Sequence, residues 1–219
     1  MRRAVICFTR VPRPGVTKTR LLPVLSPKQC AALHTAFLKD LARVYRELDA
    51  ALFVAYAPDP DWALLKDIFP MASALFPQTG ESLGERMDAA MRRVLSLGFE
   101  RVILTGTDLP MMGRRHLESG FSALDLSDVV LGPTPDGGYY LVGAKAPCTA
   151  VFEEQQYGGG NVYENTVRAA EEAGLSLGQA LPCGDVDTPE DLRRLVLQAD
   201  PESHTGWFLA ALKKEGHLL

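Results

Sequence analysis

The sequence is poor in the features that would send it to a membrane, a disulfide scaffold or a duplex-binding surface. Its longest apolar stretches, Val5-Ile6-Cys7-Phe8 and residues 50–57, fall far short of the roughly 18 residues of a membrane-spanning helix. No apolar block with a small-residue cleavage site follows Met1, so the chain is expected to be cytoplasmic, with no membrane partner. Cys7, Cys30, Cys148 and Cys183 are scattered, without a CxxC pair or nearby histidines, which argues against a zinc cage and a disulfide framework. Cys7 lies inside an apolar run and is expected as a small buried hydrophobe. The histidines, His34, His116, His204 and His217, are far apart with no ExxH or HxxH spacing, so surface or core roles are expected of them. There is no GxSxG elbow. Positive charge is not in excess either: 23 Lys and Arg against 27 Asp and Glu give a net charge of −4, which argues against nucleic acid as a partner.

What remains is the composition of a globular protein, 47% hydrophobic and 23% charged, and we read one domain over residues 1–219. Short apolar runs recur at Arg3 to Thr9, Ala51 to Ala57, Arg101 to Thr105 and Asp128 to Leu131. Their continuous apolar character predicts strands of a largely parallel sheet covered on both faces. Helical patterns lie between them. Ser26 and Pro27 start one that carries Cys30, Leu33, Phe37, Leu41, Val44 and Leu48. Leu83, Met87, Met91, Val94 and Leu95 form a second that stops before Gly98. Further on, Tyr139 to Gly143 reads as a strand, Gly158 to Gly160 as a flexible loop, and Asn161 as the cap of a helix to about Ala173. Thr188 starts another helix with Asp191 in the capping-box position, and the tail from Ser203 to Gly216 reads as a last one. Strands alternating with helices imply a layered α/β fold.

In such folds ligands bind at the carboxyl ends of strands, which directs attention to the loop after the first one. It reads Arg10-Val11-Pro12-Arg13-Pro14-Gly15-Val16-Thr17-Lys18-Thr19-Arg20, four cations in eleven residues of an acidic protein. Prolines stiffen it and Gly15 permits a tight bend, so Lys18, Arg20 and backbone N–H groups can converge on a polyphosphate. A P-loop is excluded, because Thr17 and Pro12 stand where it requires glycine. The single glycine also excludes a GxGxxG dinucleotide turn.

Two carboxylate stretches complement the cations. Val102 to Pro110 carries Asp108 out of the core at the end of a strand, where a hard oxygen suits Mg²⁺ or Mn²⁺; an Asx-turn is the alternative. Asp185-Val186-Asp187-Thr188-Pro189 sets two carboxylates ahead of a helix, either as a dipole partner or with one of them as a second metal ligand. Two glycine-bearing stretches are further candidates. Asp136-Gly137-Gly138-Tyr139-Tyr140 is a hairpin turn that also lets a ligand approach the backbone, with a tyrosine to stack on it. The segment Gln78 to Arg86, with Gly84 and Arg86, starts a helix whose N–H groups face either a Ser82 cap or a base or phosphate.

Arg10-x-Pro12-x-Pro14-Gly15-x-x-Lys18-Thr19-Arg20, Leu83-Gly84-Glu85-Arg86, Gly106-Thr107-Asp108-x-Pro110, Asp136-Gly137-Gly138-Tyr139 and Asp185-Val186-Asp187-Thr188-Pro189, in that order, resemble a bacterial family of small nucleotide-diphospho-sugar transferases. Its members have the GT-A fold and are commonly labelled glycosyltransferase. The family is more distantly similar to the guanylyltransferases of molybdenum cofactor and phospholactate metabolism. The resemblance implies a three-layer α/β/α sandwich with a mainly parallel, mixed sheet, a nucleotide and a small-molecule acceptor as partners, and Mg²⁺ or Mn²⁺. It implies Lys18 and Arg20 on the phosphates, Asp108 on the metal and the Asp136-Gly137-Gly138 turn beside the ligand. Arg10, Gly15, Gly84, Arg86 and Tyr139 complete the expected substrate contacts, and Asp185 and Asp187 the expected metal set.

Two reactions fit. In nucleotidyl transfer, a phosphate or similar oxyanion attacks the α-phosphorus of a nucleoside triphosphate, and Lys18 and Arg20 neutralise the leaving pyrophosphate. In glycosyl transfer from a nucleotide sugar, a hydroxyl acceptor wants a base, with Asp136 the available candidate. The cationic first loop favours the triphosphate. A nucleotide-binding regulator without turnover is the third expectation.

Overall fold

The computed structural model describes residues 2–153, 155–214 and 216. Seven strands form one sheet: β1 (Arg3–Thr9), β2 (Ala51–Tyr56), β3 (Ala74–Pro77), β4 (Arg101–Thr105), β5 (Val129–Pro133), β6 (Tyr139–Ala144) and β7 (Leu177–Gln179). The order across the sheet is β3-β2-β1-β4-β6-β5-β7. Strands β3, β2, β1 and β4 run parallel, β6 is antiparallel to both β4 and β5, and β7 pairs parallel with β5. The sheet is therefore mixed, with its four-stranded parallel part in the first half of the chain and one further parallel pair, β5 and β7, in the second.

Seven α-helices complete the layers: α1 (Pro27–Arg46), α2 (Leu64–Ile68), α3 (Leu83–Leu95), α4 (Arg114–Ala123), α5 (Val162–Glu172), α6 (Pro189–Gln198) and α7 (His204–Lys214). Alternation along the buried strands divides the core between two faces. Val5, Cys7, Val54 and Ile103 point to the face packed with Leu38, Leu41 and Tyr45 of α1, Leu65 of α2 and Phe121 of α4. Ile6, Val102, Leu104 and Val142 point to the other, against Met87, Met91 and Val94 of α3 and Ala170 of α5. A third cluster joins the outer side of α1, through Cys30, Leu33 and Phe37, to Leu192 and Leu195 of α6 and Leu209 and Leu212 of α7. Because α1 is covered on two sides, its apolar positions are wider than a single stripe. All four cysteines are free and buried.

Local signals set several boundaries. Ser26 Oγ accepts from Gln29 N at 3.3 Å while Gln29 Oε1 accepts from Ser26 N at 2.8 Å, a capping box worth about 1 kcal/mol. Thr188 and Asp191 make the same arrangement at α6. The start of α7 is capped from a distance: Asp40 on α1 accepts from His204 N at 2.8 Å and Thr205 N at 2.9 Å.

Some expectations need correction. The strand read from Asp128 begins at Val129 and extends to Pro133. Asn161 precedes α5, but its side chain makes no capping bond. Gly158 to Gly160 is a turn, with Gly159 N on Gln156 O at 3.2 Å, closed against the β5–β6 turn. Strands β3 and β7 and helices α2 and α4 were not anticipated: β3 and β7 have four and three residues, α2 has five, and α4 begins with two arginines. Segments that short carry no resolvable hydrophobic period. The last-helix reading ends at Lys214, and His217 lies outside the described residues.

Candidate active site

The connectivity dictates where a ligand can enter. From β1 the chain moves through α1 to β2 and then β3 on one side, and α3 carries it back to β4 on the other. The carboxyl ends of β1 and β4 therefore border a topological switch point, the position where open α/β sheets hold their ligands. The loop after β1 brings the cations there and the loop after β4 brings Asp108.

A cleft of about 770 Å³ opens at this point. Arg10, Lys18, Arg20, Arg86, Asp108 and Asp187 line it, so six of the expected site residues converge. Lys18 sits in the left-handed region, φ 55° and ψ 36°, the only described non-glycine residue with positive φ. That conformation costs about 1–2 kcal/mol and marks a backbone forced by its surroundings. It starts a 3-10 turn, Thr19–Leu21, whose Leu21 anchors in the cluster between α1, α6 and α7. Lys18 consequently points inward, its side chain 2% exposed. Its Nζ donates to Val186 O at 2.5 Å and lies 2.5 Å from Asp108 Oδ1 and 3.4 Å from Asp187 Oδ1. Arg20 is exposed, with Nη1 3.4 Å from Asp187 Oδ2.

The carboxylates differ in how well they are compensated. Burial would raise the Asp108 carboxyl, but Lys18 and His34 overcome it and hold it below the ordinary range. Asp187, farther from the ammonium, is pushed up by burial and by Asp108. Asp185 is pushed up to about 6 by burial and by the carboxylates of Asp187, Asp136 and Asp108. Asp108 and Asp187 thus share the buried lysine, with Arg20 also at Asp187, while Asp185 feels the neighbouring carboxylates. Among the described residues no group of three or more His, Cys, Asp or Glu forms a metal cage by itself. The donor set still fits a hard divalent cation of the kind that uses one or two carboxylates and completes its shell with water and phosphate oxygens. Asp108 with Asp185 or Asp187 would hold it.

Beside the cleft lies a recess of about 310 Å³ under the β5–β6 turn. It is walled by Phe8, Leu83, Met87, Tyr139, Val142 and Tyr157, with Asp108, Asp136 and Asp185 also lining it. Among the described residues no Lys or Arg lines it. Gly138 is there too, and Tyr139 hydroxyl pairs with Tyr157 hydroxyl at 3.2 Å. Gly137, φ +85°, serves the packing of the turns rather than the ligand. A Cβ there would stand 1.9 Å from Gly160 O, so the two turns touch only because it is glycine. Asp136 Oδ1 accepts from Thr134 hydroxyl at 2.5 Å and Gly138 N at 3.1 Å, which gives it the Asx-turn role. Tyr140 hydroxyl donates to Leu181 O at 2.9 Å, away from the tyrosine pair.

Besides Gly137, two expected contacts line neither the cleft nor the recess. Gly84 is buried, and a Cβ would approach Phe152 O to 2.2 Å; its function is helix packing. Gly15, φ +79°, lies at the exposed tip of the first loop with open space around it, and supplies the bend. Arg86 reaches the cleft, yet Nε and Nη2 donate to Gly80 O at 2.9 Å and Glu81 O at 3.4 Å, so it also ties down the turn before α3.

Two further cleft residues were not expected from the sequence. His34, read there as core or surface, is buried at the cleft floor, with Nε2 3.3 Å from Arg10 O and Nδ1 3.8 Å from Asp108 Oδ1. Burial lowers the pKa of its imidazole, opposed in part by Asp108, and Nδ1 has no hydrogen-bond partner. A polar residue on the buried stripe that carries Cys30, Phe37 and Leu41 was the available signal. Gln78 follows the unanticipated β3; its amide nitrogen donates to Thr9 O at 3.1 Å and Ala55 O at 3.0 Å, leaving only its oxygen for a ligand in the cleft.

A family model described as "Uncharacterized protein conserved in bacteria (DUF2064)" matches residues 40–159. A 2-phospho-L-lactate guanylyltransferase of Methanothermobacter thermautotrophicus is 26% identical over 204 residues, covering 90% of this chain and 85% of that protein. A phosphoenolpyruvate guanylyltransferase of Sphaerobacter thermophilus is 25% identical over 197 residues, covering 87% and 92%. A crystal structure from Desulfovibrio desulfuricans G20, provisionally named a nucleotide-diphospho-sugar transferase, superposes with a TM-score of 0.89 at 31% identity, covering all of both chains.

Proposed function

The chain belongs to the bacterial DUF2064 family and is a transferase of nucleotide-diphospho-sugar transferase-like fold; from that premise we propose that the group it moves is a nucleotidyl group. The observation that carries this reading is the concentration of Arg10, Lys18, Arg20 and Arg86 around one cleft at the switch point, with Asp108 and Asp187 beside Lys18. A triphosphate has the charge to engage those cations. An acceptor oxygen forms a bond to the α-phosphorus, the bond from that phosphorus to the bridging oxygen breaks, and pyrophosphate leaves with the electron pair, its charge met by Lys18 and Arg20.

We take the acceptor to be a small molecule that attacks through an already ionised oxygen, such as a phosphate. Asp136, the base candidate for a hydroxyl acceptor, has a structural task as well, since Oδ1 holds the β5–β6 turn through Thr134 and Gly138. The curated relatives are named for 2-phospho-L-lactate and phosphoenolpyruvate, both of which carry such an oxygen. The uncharged part of the acceptor suits the apolar recess, and its charged end the mouth shared with the cleft, where Asp108 and Asp185 line the recess and Arg20 stands on the cleft side. Bound Mg²⁺ or Mn²⁺ would supply charge neutralisation at the phosphates, held by Asp108 and one of Asp185 and Asp187.

The test is a thermal-shift panel of nucleoside triphosphates and nucleotide sugars, each with Mg²⁺ or Mn²⁺. A triphosphate at 100 times its Kd stabilises the fold by about 2.7 kcal/mol. The expected result is a shift with a triphosphate, GTP first; a shift with nucleotide sugars alone would replace this reading by glycosyl transfer.

A further inference from the structure

We infer that Lys18 is a built-in counter-ion of the Asp108–Asp187 carboxylate pair, and that it and a divalent cation compete for that pair. The inference rests on the metal-assisted reading above and adds a second role for the lysine. An ammonium has three N–H donors. Here three oxygens surround Nζ: Val186 O at 2.5 Å, Asp108 Oδ1 at 2.5 Å and Asp187 Oδ1 at 3.4 Å. None of the three donors is left for a phosphate. The lysine must give up at least one carboxylate to grip a polyphosphate, and a cation bridging Asp108 and Asp187 on the side that Nζ occupies needs the Oδ1 oxygens that Nζ now contacts.

Charge fixes the direction of the exchange. At Nζ two carboxylates, Asp108 and Asp187, meet one buried ammonium, with the exposed Arg20 at the far oxygen of Asp187, so a dication matches the charge of the pair more closely than the lysine does. The exchange needs somewhere else for the lysine to go, and a polyphosphate in the cleft provides it. Val186 O is the partner that need not change. Polyphosphate and cation then favour each other's binding through one side chain, and the coupling is reciprocal. Either ligand alone has to displace the lysine from the pair and binds more weakly than the two together.

Mn²⁺ binding, read from the free-ion electron paramagnetic resonance signal, tests this without any turnover. In the absence of nucleotide, Lys18→Met should bind Mn²⁺ about tenfold tighter than the unaltered chain. Arg20→Met removes the same charge from an exposed partner of Asp187 and should change the affinity by no more than about threefold. Equal affinities for the unaltered chain and Lys18→Met, or equal gains in both variants, overturn the inference. If Lys18→Met does not fold, the unaltered protein decides: titration with Mg²⁺ should move the ¹⁵N resonance of the buried lysine ammonium, and heat of Mg²⁺ binding with that resonance unmoved overturns it. Failure of the underlying metal reading looks different: neither protein takes up Mn²⁺, with or without GTP.

Discussion

The cleft and the recess share Phe8, Leu83 and Asp108 but differ in charge. Arg10, Lys18, Arg20, His34, Gln78 and Arg86 line the cleft, whereas Met87, Tyr139, Val142 and Tyr157 line only the recess, which has no Lys or Arg among the described residues. The cleft is built by loops leaving parallel strands, the recess by the antiparallel β6 and the turn before it. The difference gives the proposed reaction a polarity: the polyphosphate is placed by charge on one side, the acceptor by shape on the other, and the carboxylates stand at the boundary.

Removing the shared carboxylate should have the largest effect. Asp108→Asn is expected to lower turnover at least about 100-fold while leaving the secondary structure intact, measured by pyrophosphate release and circular dichroism. A variant that turns over normally would detach the boundary from the chemistry. Next in size, Gly137→Ala strikes only the recess side. Its Cβ would meet Gly160 O in a backbone already at φ +85°, so the fold should lose about 2–3 kcal/mol in denaturant unfolding. Triphosphate binding by the protein that remains folded should be little changed; equal damage to both would dissolve the comparison.

Asp185→Asn sharpens the boundary itself. With the folded-state value raised to about 6 by burial and neighbouring carboxylates, the native state keeps a proton that the unfolded chain releases near pH 4. Stability therefore falls as pH rises from about 4 to 6 and stays lowered above that. The asparagine variant should be more stable than the unaltered chain by about 1–2 kcal/mol at pH 7 in metal-free buffer, with the gain vanishing near pH 4. A gain independent of pH would assign the effect to something other than crowded charge. The smallest effect belongs to Tyr139→Phe, which removes the hydroxyl contact to Tyr157 and should cost about 1 kcal/mol in thermal unfolding. Triphosphate affinity should not move.

Legibility followed the size of the local signal. The strands Arg3–Thr9 and Arg101–Thr105 and the start of α3 could be read in full, because continuous apolar runs and a serine cap are local properties, whereas α3 ends at Leu95 with Ser96 as its cap, ahead of Gly98. The short strands and α2 could not, since fewer than about six residues contain less than two periods of a helical pattern and barely two of a strand. The same division runs through the site. Lys18, Arg20, Asp108 and Asp187 were legible as unusual charge in loops, whereas Gly84 and Gly137, which read as ligand contacts, turned out to be spacers between backbones. His34 was illegible because one polar residue on a buried stripe looks the same whether it faces core or cleft.

The sequence by itself determined that strands and helices alternate, that the first loop is cationic and that aspartates terminate later segments, since each depends on residues within one stretch of chain. Tertiary structure alone decided that Lys18 meets Asp108 and Asp187, 90 and 169 residues away, instead of open solvent. Strand order and the packing of α1 between the sheet and α6 set that meeting, and the energy of a charge depends on which oxygens surround it in space.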